Sequence, residues 1–104
     1  MSNKYCVEIV DFKLSEAMAQ EDFLEIVDAL ETNFHSQQEG FISTDLLDGT
    51  DGQTYTMVQH WETLEKAQKA SKAMMQSDLT LEFRGLLDPK NVKLRYLERI
   101  QKWD

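Results

Sequence analysis

The chain has 104 residues, which suits one domain spanning residues 1–104, and 41% of its residues are hydrophobic while 29% are charged. Its net charge of -8 repels phosphate backbones and anionic lipids, so we expect no nucleic-acid partner and no membrane partner. The first residues lack the pattern of a signal segment and no apolar run reaches membrane-spanning length, which predicts a cytoplasmic protein.

The first predicted strand is the run YCVEIVDF, from Tyr5 to Phe12, in which both faces are mostly apolar. A strand with this pattern is covered on both sides. Ser15 is a suitable N-cap for a long amphipathic helix, whose apolar positions recur at helical spacing until Gly40 ends the pattern. Those apolar positions are Phe23, Val27, Leu30 and Phe34.

The middle of the chain predicts a β-hairpin and then a second helix. FISTDLLD and TYTMVQHW both have strand character, and the DGTDGQ between them repeats Asp-Gly, as hairpin loops do. Thr63 can cap the next helix, and Ser77 suggests a break before a short helix through LTLEFRGLL that ends at Asp88 and Pro89. The run VKLRYLERIQKW then alternates as a last strand.

This order of elements predicts an α+β fold of the ferredoxin-like, split βαβ type, with an antiparallel four-stranded sheet and the helices on one face. The other face of the sheet would then need a cover. The first strand is apolar on both sides, and the last strand carries Leu97 among its charged positions, so a second sheet from another copy is the natural cover. We therefore expect a homodimer.

Three short motifs of the sequence resemble those of a known family. EGF lies at positions 39 to 41, the hairpin ends in HWET, and SDLTLEF follows a lysine- and alanine-rich helix. The chain resembles the antibiotic biosynthesis monooxygenase (ABM) type of dimeric α+β barrel over nearly its whole length. The resemblance implies a homodimer with a pocket between sheet and helices in each subunit. Members include cofactor-independent oxygenases that act on quinol-like aromatics, haem-degrading enzymes and proteins without demonstrated activity.

The resemblance therefore leaves two functions open. One is a cofactor-independent monooxygenase acting on a small aromatic or quinol-type compound. The other is a non-catalytic dimeric barrel that binds a small apolar ligand or serves as an interaction module. Haem degradation is not expected, because the positions that correspond to the haem-degrading members' key residues hold Val10, Ala70 and Arg84, and no histidine follows Trp61. We expect no cofactor. Cys6, His35 and His60 offer no metal-ligand spacing, and no metal site is expected.

The candidate residues for the pocket between sheet and helices have aromatic, apolar or basic side chains. Trp61 follows the third strand and either anchors the strand-to-helix corner or stacks on a ligand. The full set of predicted pocket residues is Val10, Phe12, Tyr55, Met57, Trp61, Met74 and Arg84.

Two residues are weak candidates for catalysis, Glu8 and His60. A histidine side chain can move a proton, but His60 lies on the strand face opposite Trp61, and an interface or half-exposed role is the alternative. His35, at the end of the first helix, is predicted to interact with the helix dipole.

Glu8 lies at the centre of an otherwise apolar strand, where a buried carboxylate must be paired or protonated. An ion pair with Arg84, Arg95, Arg99 or Lys93 is the expected arrangement, and an acid or base with a raised pKa in the pocket is the alternative. Cys6, on the same face, has no feature that would lower its pKa, and we expect it to fill space in the core.

Overall fold

A computed structural model describes residues 4–104, so the first three residues of the predicted domain lie outside the described residues. Four strands and three α-helices are present in this part of the chain, with two short 3-10 turns. In order, they are β1 (Cys6–Leu14), α1 (Gln20–Asn33), a 3-10 turn (His35–Gln37), β2 (Phe41–Asp48), β3 (Tyr55–Trp61), α2 (Leu64–Met74), a 3-10 turn (Asp78–Thr80), α3 (Leu81–Leu86) and β4 (Leu87–Glu98).

The sheet has the strand order β2-β3-β1-β4, and all neighbours are antiparallel. This confirms the predicted ferredoxin-like α+β fold. The register places Glu8 of β1 between Gln59 of β3 and Tyr96 of β4, and Val10 between Met57 and Leu94. Because side chains alternate along a strand, all of these residues share one face of the sheet. This is the face toward the helices, and we call it the helix-side face.

The first helix begins later and ends earlier than predicted. Ala19, not Ser15, occupies its N-cap, and the helix ends at Asn33 with a 3-10 turn before Gly40. Ser15 is engaged elsewhere, because its N–H and its hydroxyl both donate to the carbonyl of Leu86, at 2.9 and 3.3 Å. The two predicted caps further along are confirmed: Thr63 accepts from the N–H of Lys66, and Ser77 accepts from that of Leu79.

The last strand also starts earlier than predicted, at Leu87, and it includes Asp88 and Pro89. A proline has no N–H to give to a neighbouring strand, but β4 lies at the edge of the sheet and pairs only with β1. The edge position therefore allows the strand to begin directly after α3. The strand ends at Glu98, so the run to Trp103 that was predicted as strand is shorter by five residues.

The helix-side face and the helices enclose two groups of buried side chains. The larger group includes Phe12, Phe23 and Phe83, and the smaller one contains Trp61 and Cys6 with two alanines of α2. Alanines at these positions let α2 lie close to the sheet. Cys6 is fully buried as expected, and burial raises the pKa of its thiol.

The opposite face of the sheet, which we call the outer face, carries the alternate residues of the same strands. It includes Val7 and Ile9 of β1, Val58 and His60 of β3, and Leu97 of β4. None of these five is buried, and Leu97 is 43% exposed. The sheet therefore presents an apolar surface on the side away from the helices.

Candidate functional site

A cavity of about 200 Å³ lies between the helix-side face of the sheet and the helices α2 and α3, next to both core groups. Its wall is mostly apolar and comes from β1, β3 and β4, from α2 and α3, and from the 3-10 turn that begins at His35. The polar side chains that reach this wall are Glu8, His35, Gln59, Ser71 and Arg84. An apolar pocket with a few convergent polar groups is the usual form of a small-molecule site.

Glu8 is the carboxylate of this cavity, and it is 4% exposed. Its Oε1 accepts a hydrogen bond from Trp61 Nε1 at 3.1 Å, and its Oε2 accepts one from Ser71 Oγ at 3.2 Å. Both donors are neutral. Burial raises the pKa of Glu8, and these two hydrogen bonds and the nearby His35 oppose that rise without cancelling it.

The expected ion pair of Glu8 is absent, because none of the four predicted partners reaches it. Lys93 and Arg95 pair in the sheet with Asp11 and Ile9, whose side chains point to the outer face. The other two are engaged elsewhere. Arg99 lies over the ring of Tyr5 at 3.9 Å, and Arg84 donates to Thr80 Oγ1 and to the carbonyl of Ser77.

Ser71 links Glu8 to Tyr96. The Ser71 hydroxyl lies 2.6 Å from the Tyr96 hydroxyl, and Tyr96 is half-buried on the edge strand β4. The pKa of Tyr96 is raised, chiefly by burial, so its hydroxyl keeps its proton and remains a hydrogen-bond donor. The carboxylate, the serine and the tyrosine therefore form one connected chain.

His35 is the second titratable group of the cavity wall, and it is 3% exposed. Its Nδ1 lies 2.5 Å from Glu31 Oε2, while Gln59 Nε2 lies 3.0 Å from its Nε2 and 3.4 Å from Thr44 Oγ1. The Gln59 amide nitrogen also lies 3.1 Å from His35 Nδ1, so it contacts both ring nitrogens, while Nδ1 faces the Glu31 carboxylate. Glu31 and Gln59 thus fix the orientation of the ring.

Of the seven predicted pocket residues, four line this cavity: Val10, Met57, Met74 and Arg84. The other three lie elsewhere. Trp61 is completely buried and does not line the cavity, but it contacts two residues that do: it donates to Glu8, and its ring lies 6.3 Å from that of His35. Phe12 and Tyr55 pack against each other at 5.8 Å and both contact Phe23, which makes them part of the larger core group.

The structure separates the two candidates for catalysis. Glu8 lines the cavity, whereas His60 lies on the outer face, where its Nδ1 is 2.7 Å from the Tyr5 hydroxyl and its Nε2 is 3.7 Å from Asp45 Oδ2. His60 therefore does not share the site with Glu8. Its half-buried position matches the alternative interpretation of this residue.

Three polar residues of the cavity wall were not predicted as site residues: His35, Gln59 and Ser71. A signal existed for His35, since Glu31 stands four residues before it and an acidic residue at that spacing meets it on a helical segment. Gln59 shares its strand face with Trp61, and Ser71 lies on the inner side of α2, but neither carries a distinctive sequence motif.

Within residues 4–104, no group of three or more His, Cys, Asp or Glu side chains is placed to hold a metal ion. No helix in that range is both long and apolar enough to cross a membrane.

The sequence profile of the antibiotic biosynthesis monooxygenase (ABM) family matches residues 8–84, which includes Glu8, the hairpin, α2 and Arg84. The chain belongs to the antibiotic biosynthesis monooxygenase family. The match begins at Glu8 in β1 and ends at Arg84 in α3. The matched region therefore holds all five polar residues of the cavity wall. No curated protein sequence matches the chain.

Solved structures agree with this ABM assignment in fold. SnoaB from Streptomyces nogalater, a cofactor-independent oxygenase, is 17% identical, with a TM-score of 0.69 over 95% of this chain and 96% of that one. Rv0793 from Mycobacterium tuberculosis is 18% identical, with a TM-score of 0.68 over 96% and 99%. A dimeric ferredoxin-like protein from an uncultured marine organism is 10% identical, with a TM-score of 0.66 over 97% and 92%. At these identities the similarity establishes the fold.

Proposed function

We propose that this ABM protein is a cofactor-independent monooxygenase that acts on a small phenol or quinol bound in the cavity. The observation that carries the proposal is Glu8, a buried carboxylate that faces an apolar cavity, has only neutral hydrogen-bond donors on its oxygens and has a raised pKa. Such a group is a stronger base than an exposed carboxylate, and it faces the space that a ligand would fill.

The size of the cavity favours a substrate with one aromatic ring. An apolar cavity of about 150 Å³ is enough to hold benzene, and drug-sized ligands need roughly 300 Å³ or more. The cavity here measures about 200 Å³, between these two values. A hydroquinone with a small substituent is therefore the best match among quinol-type compounds.

In the proposed reaction, Glu8 removes the phenolic proton, and the resulting anion is electron-rich enough to react with O2 directly. The apolar wall keeps water away from the anion, and the guanidinium of Arg84 offsets its charge from the same wall. A ring carbon bonds to oxygen and the O–O bond then breaks. One hydroquinone and one O2 give one hydroxyquinone and one water, so the substrate supplies all the electrons.

Oxygen uptake with methylhydroquinone tests this proposal. We expect uptake above the protein-free rate, no return of oxygen when catalase is added, and label from isotopic O2 in the quinone product. Glu8→Gln keeps the size of the side chain and removes the base, and should lower the rate by about a hundredfold or more. Glu25→Gln, an exposed carboxylate of α1, is the matched control and should retain the wild-type rate.

The alternative function, a non-catalytic barrel, gives a different result in the same experiment. In that case methylhydroquinone would bind to the protein, as followed by the fluorescence of Trp61 behind Glu8, but oxygen uptake would not exceed the protein-free rate. Uptake that returns oxygen on addition of catalase would indicate simple oxidation to the quinone with release of peroxide, which contradicts monooxygenation.

We further propose that the protein is a homodimer in which the outer faces of two sheets cover each other. Support comes from the apolar residues of the outer face and from a structure of similar fold that is a dimeric ferredoxin-like protein. Sedimentation should give twice the chain mass at micromolar concentration. Ile9→Lys, on the outer face, should shift the protein to monomer, whereas Leu24→Lys, on the exposed side of α1, should not. A monomeric wild type would contradict the proposal.

A further inference from the structure

The hydrogen bonds around Glu8 have a direction that the chemistry of the groups determines. Ser71 has one hydroxyl hydrogen, and when Glu8 is ionised that hydrogen is donated to Glu8 Oε2 at 3.2 Å. The 2.6 Å contact between Ser71 Oγ and the Tyr96 hydroxyl must then be a donation from Tyr96. Both hydroxyl hydrogens therefore point toward the carboxylate.

Protonation of Glu8 reverses this direction. A neutral carboxyl group has a hydrogen to give, so Glu8 can donate to Ser71 Oγ, Ser71 can donate to the Tyr96 hydroxyl, and Tyr96 can donate outward. The same three groups are thus hydrogen-bonded in both protonation states of Glu8. This two-way arrangement is what a proton relay requires.

The two oxygens of Glu8 differ in what their hydrogen-bond partners can do with a proton. Its Oε1 faces Trp61 Nε1, which is a donor only and cannot accept a proton. Trp61 and Ser71 are the hydrogen-bond partners of the Glu8 carboxylate within residues 4–104, and of these two only the Ser71 hydroxyl can both accept and donate a proton. Oε2 and Ser71 are therefore the available route to the surface.

We propose that Ser71 and Tyr96 relay protons between Glu8 and solvent at the β4 edge of the sheet. The hydroxyl hydrogens first rotate away from Glu8. The carboxyl proton then moves to Ser71 Oγ as the Ser71 proton moves to the Tyr96 oxygen and the Tyr96 proton passes to water or a buffer base. One proton leaves for each that enters at Glu8, and no other bond changes. The inference rests on the proposed function only for the source of the proton.

Other titratable groups lie near Glu8, and all of them except Tyr96 remain in place in the test. Cys6 lies on the same strand face, His35 and Arg84 lie on the cavity wall, and Tyr96 is itself part of the relay. Substitution of Ser71 also changes the equilibrium, since its hydrogen bond lowers the pKa of Glu8 and its loss should raise that pKa. Each variant is therefore compared at its own titration midpoint.

The relay can be tested without a substrate, through the indole N–H of Trp61. This N–H donates to Glu8, so its NMR signal should move as Glu8 titrates, and Trp103, the other tryptophan, is 80% exposed and gives an internal reference. Relaxation dispersion of the Trp61 signal at the midpoint measures how fast Glu8 exchanges its proton. We expect Ser71→Ala and Tyr96→Phe to slow this exchange by at least about tenfold, and added buffer base to restore it in part.

Two controls distinguish a relay from a packing effect. Tyr5→Phe removes a half-buried tyrosine hydroxyl on the outer face and should leave the exchange rate unchanged. Ser71→Thr keeps a hydroxyl and should also retain the wild-type rate, and a Ser71→Thr rate as slow as that of Ser71→Ala would overturn the inference. So would wild-type exchange in Tyr96→Phe. Because oxygen uptake is not measured, absence of turnover would refute the proposed function alone.

Discussion

The two histidines of the chain lie on opposite sides of the sheet and have different surroundings. His35 is 3% exposed, lines the cavity and is held by Glu31 and Gln59. His60 is half-buried on the outer face, next to the Tyr5 hydroxyl. From the sequence, His60 was a weak candidate for acid–base chemistry, and His35 was predicted to interact with the dipole of the first helix. The environment of each histidine is therefore determined more by what packs over its side chain than by the helix or strand that carries it.

The same contrast holds for the two faces as wholes. The helix-side face combines a packed core, which includes Trp61, with a cavity whose polar groups are hydrogen-bonded and include the buried Glu8 and His35. The outer face has apolar residues that no part of residues 4–104 buries. Substitutions on the two faces should therefore differ in their effect on stability.

Trp61→Ala should give the largest loss of stability. The indole is fully buried in the smaller core group and donates to Glu8, so its removal leaves a void and an unpaired carboxylate oxygen. We expect the free energy of unfolding to fall by about 3 to 5 kcal/mol, measured by urea denaturation. Trp103→Ala is the matched control, because that side chain is 80% exposed, and should change stability by less than about 0.5 kcal/mol.

Trp61→Phe separates the two contributions of the indole. It keeps most of the apolar volume and removes only the N–H that Glu8 accepts. A loss close to that of Trp61→Ala would mean that the hydrogen bond dominates, and a much smaller loss would mean that packing does. Equal stability of Trp61→Ala and Trp103→Ala would contradict the assignment of Trp61 to the core.

The fold could be predicted from sequence because its signals are local. The β-branched and aromatic run of β1, the alternation in β3, the helical spacing in α1, and the caps at Thr63 and Ser77 each depend on neighbouring residues. Where a local signal had a distant competitor, the prediction was wrong. Ser15 bonds to Leu86, 71 residues away, instead of capping α1.

The candidate site depends on contacts that sequence reasoning could not supply. Glu8 meets Trp61 and Ser71 across 53 and 63 residues, and those two neutral donors take the place of the ion pair that was expected. The four basic candidates were plausible by composition, but strand register and local hydrogen bonds direct them elsewhere. Only the Glu31 and His35 pair, four residues apart, was accessible to a local interpretation.

His35→Gln and His60→Gln compare the two histidines directly. Loss of the His35 ring leaves Glu31 and Gln59 without a buried partner, which should lower the free energy of unfolding by about 1 to 3 kcal/mol. His60 is half-buried and its partner Tyr5 can bond to water, so His60→Gln should cost less than about 0.5 kcal/mol in the single chain. Thermal and urea unfolding measure both. A larger cost for His60→Gln would reverse the comparison or reveal a role in the dimer.

The smallest expected effect is the pH dependence that Glu8 gives to stability, and its sign follows from burial. Burial raises the pKa of Glu8 in the folded protein above the ordinary value of 4.5, so between these two pKa values the folded state binds more protons than the unfolded state. The contribution of Glu8 is therefore fully present below the unfolded pKa and is lost as pH rises through the folded pKa.

Urea unfolding of the wild type and Glu8→Gln across that pH range isolates this contribution. We expect the stability of the wild type relative to Glu8→Gln to decline as pH rises above the unfolded pKa and then to become constant above the folded pKa. Glu25→Gln, on the exposed side of α1, should follow the wild type at every pH. If the stabilities of the wild type and Glu8→Gln changed with pH in parallel, Glu8 would titrate like an exposed carboxylate. The helix-side face would then lack the buried carboxylate with a raised pKa that most distinguishes it from the outer face.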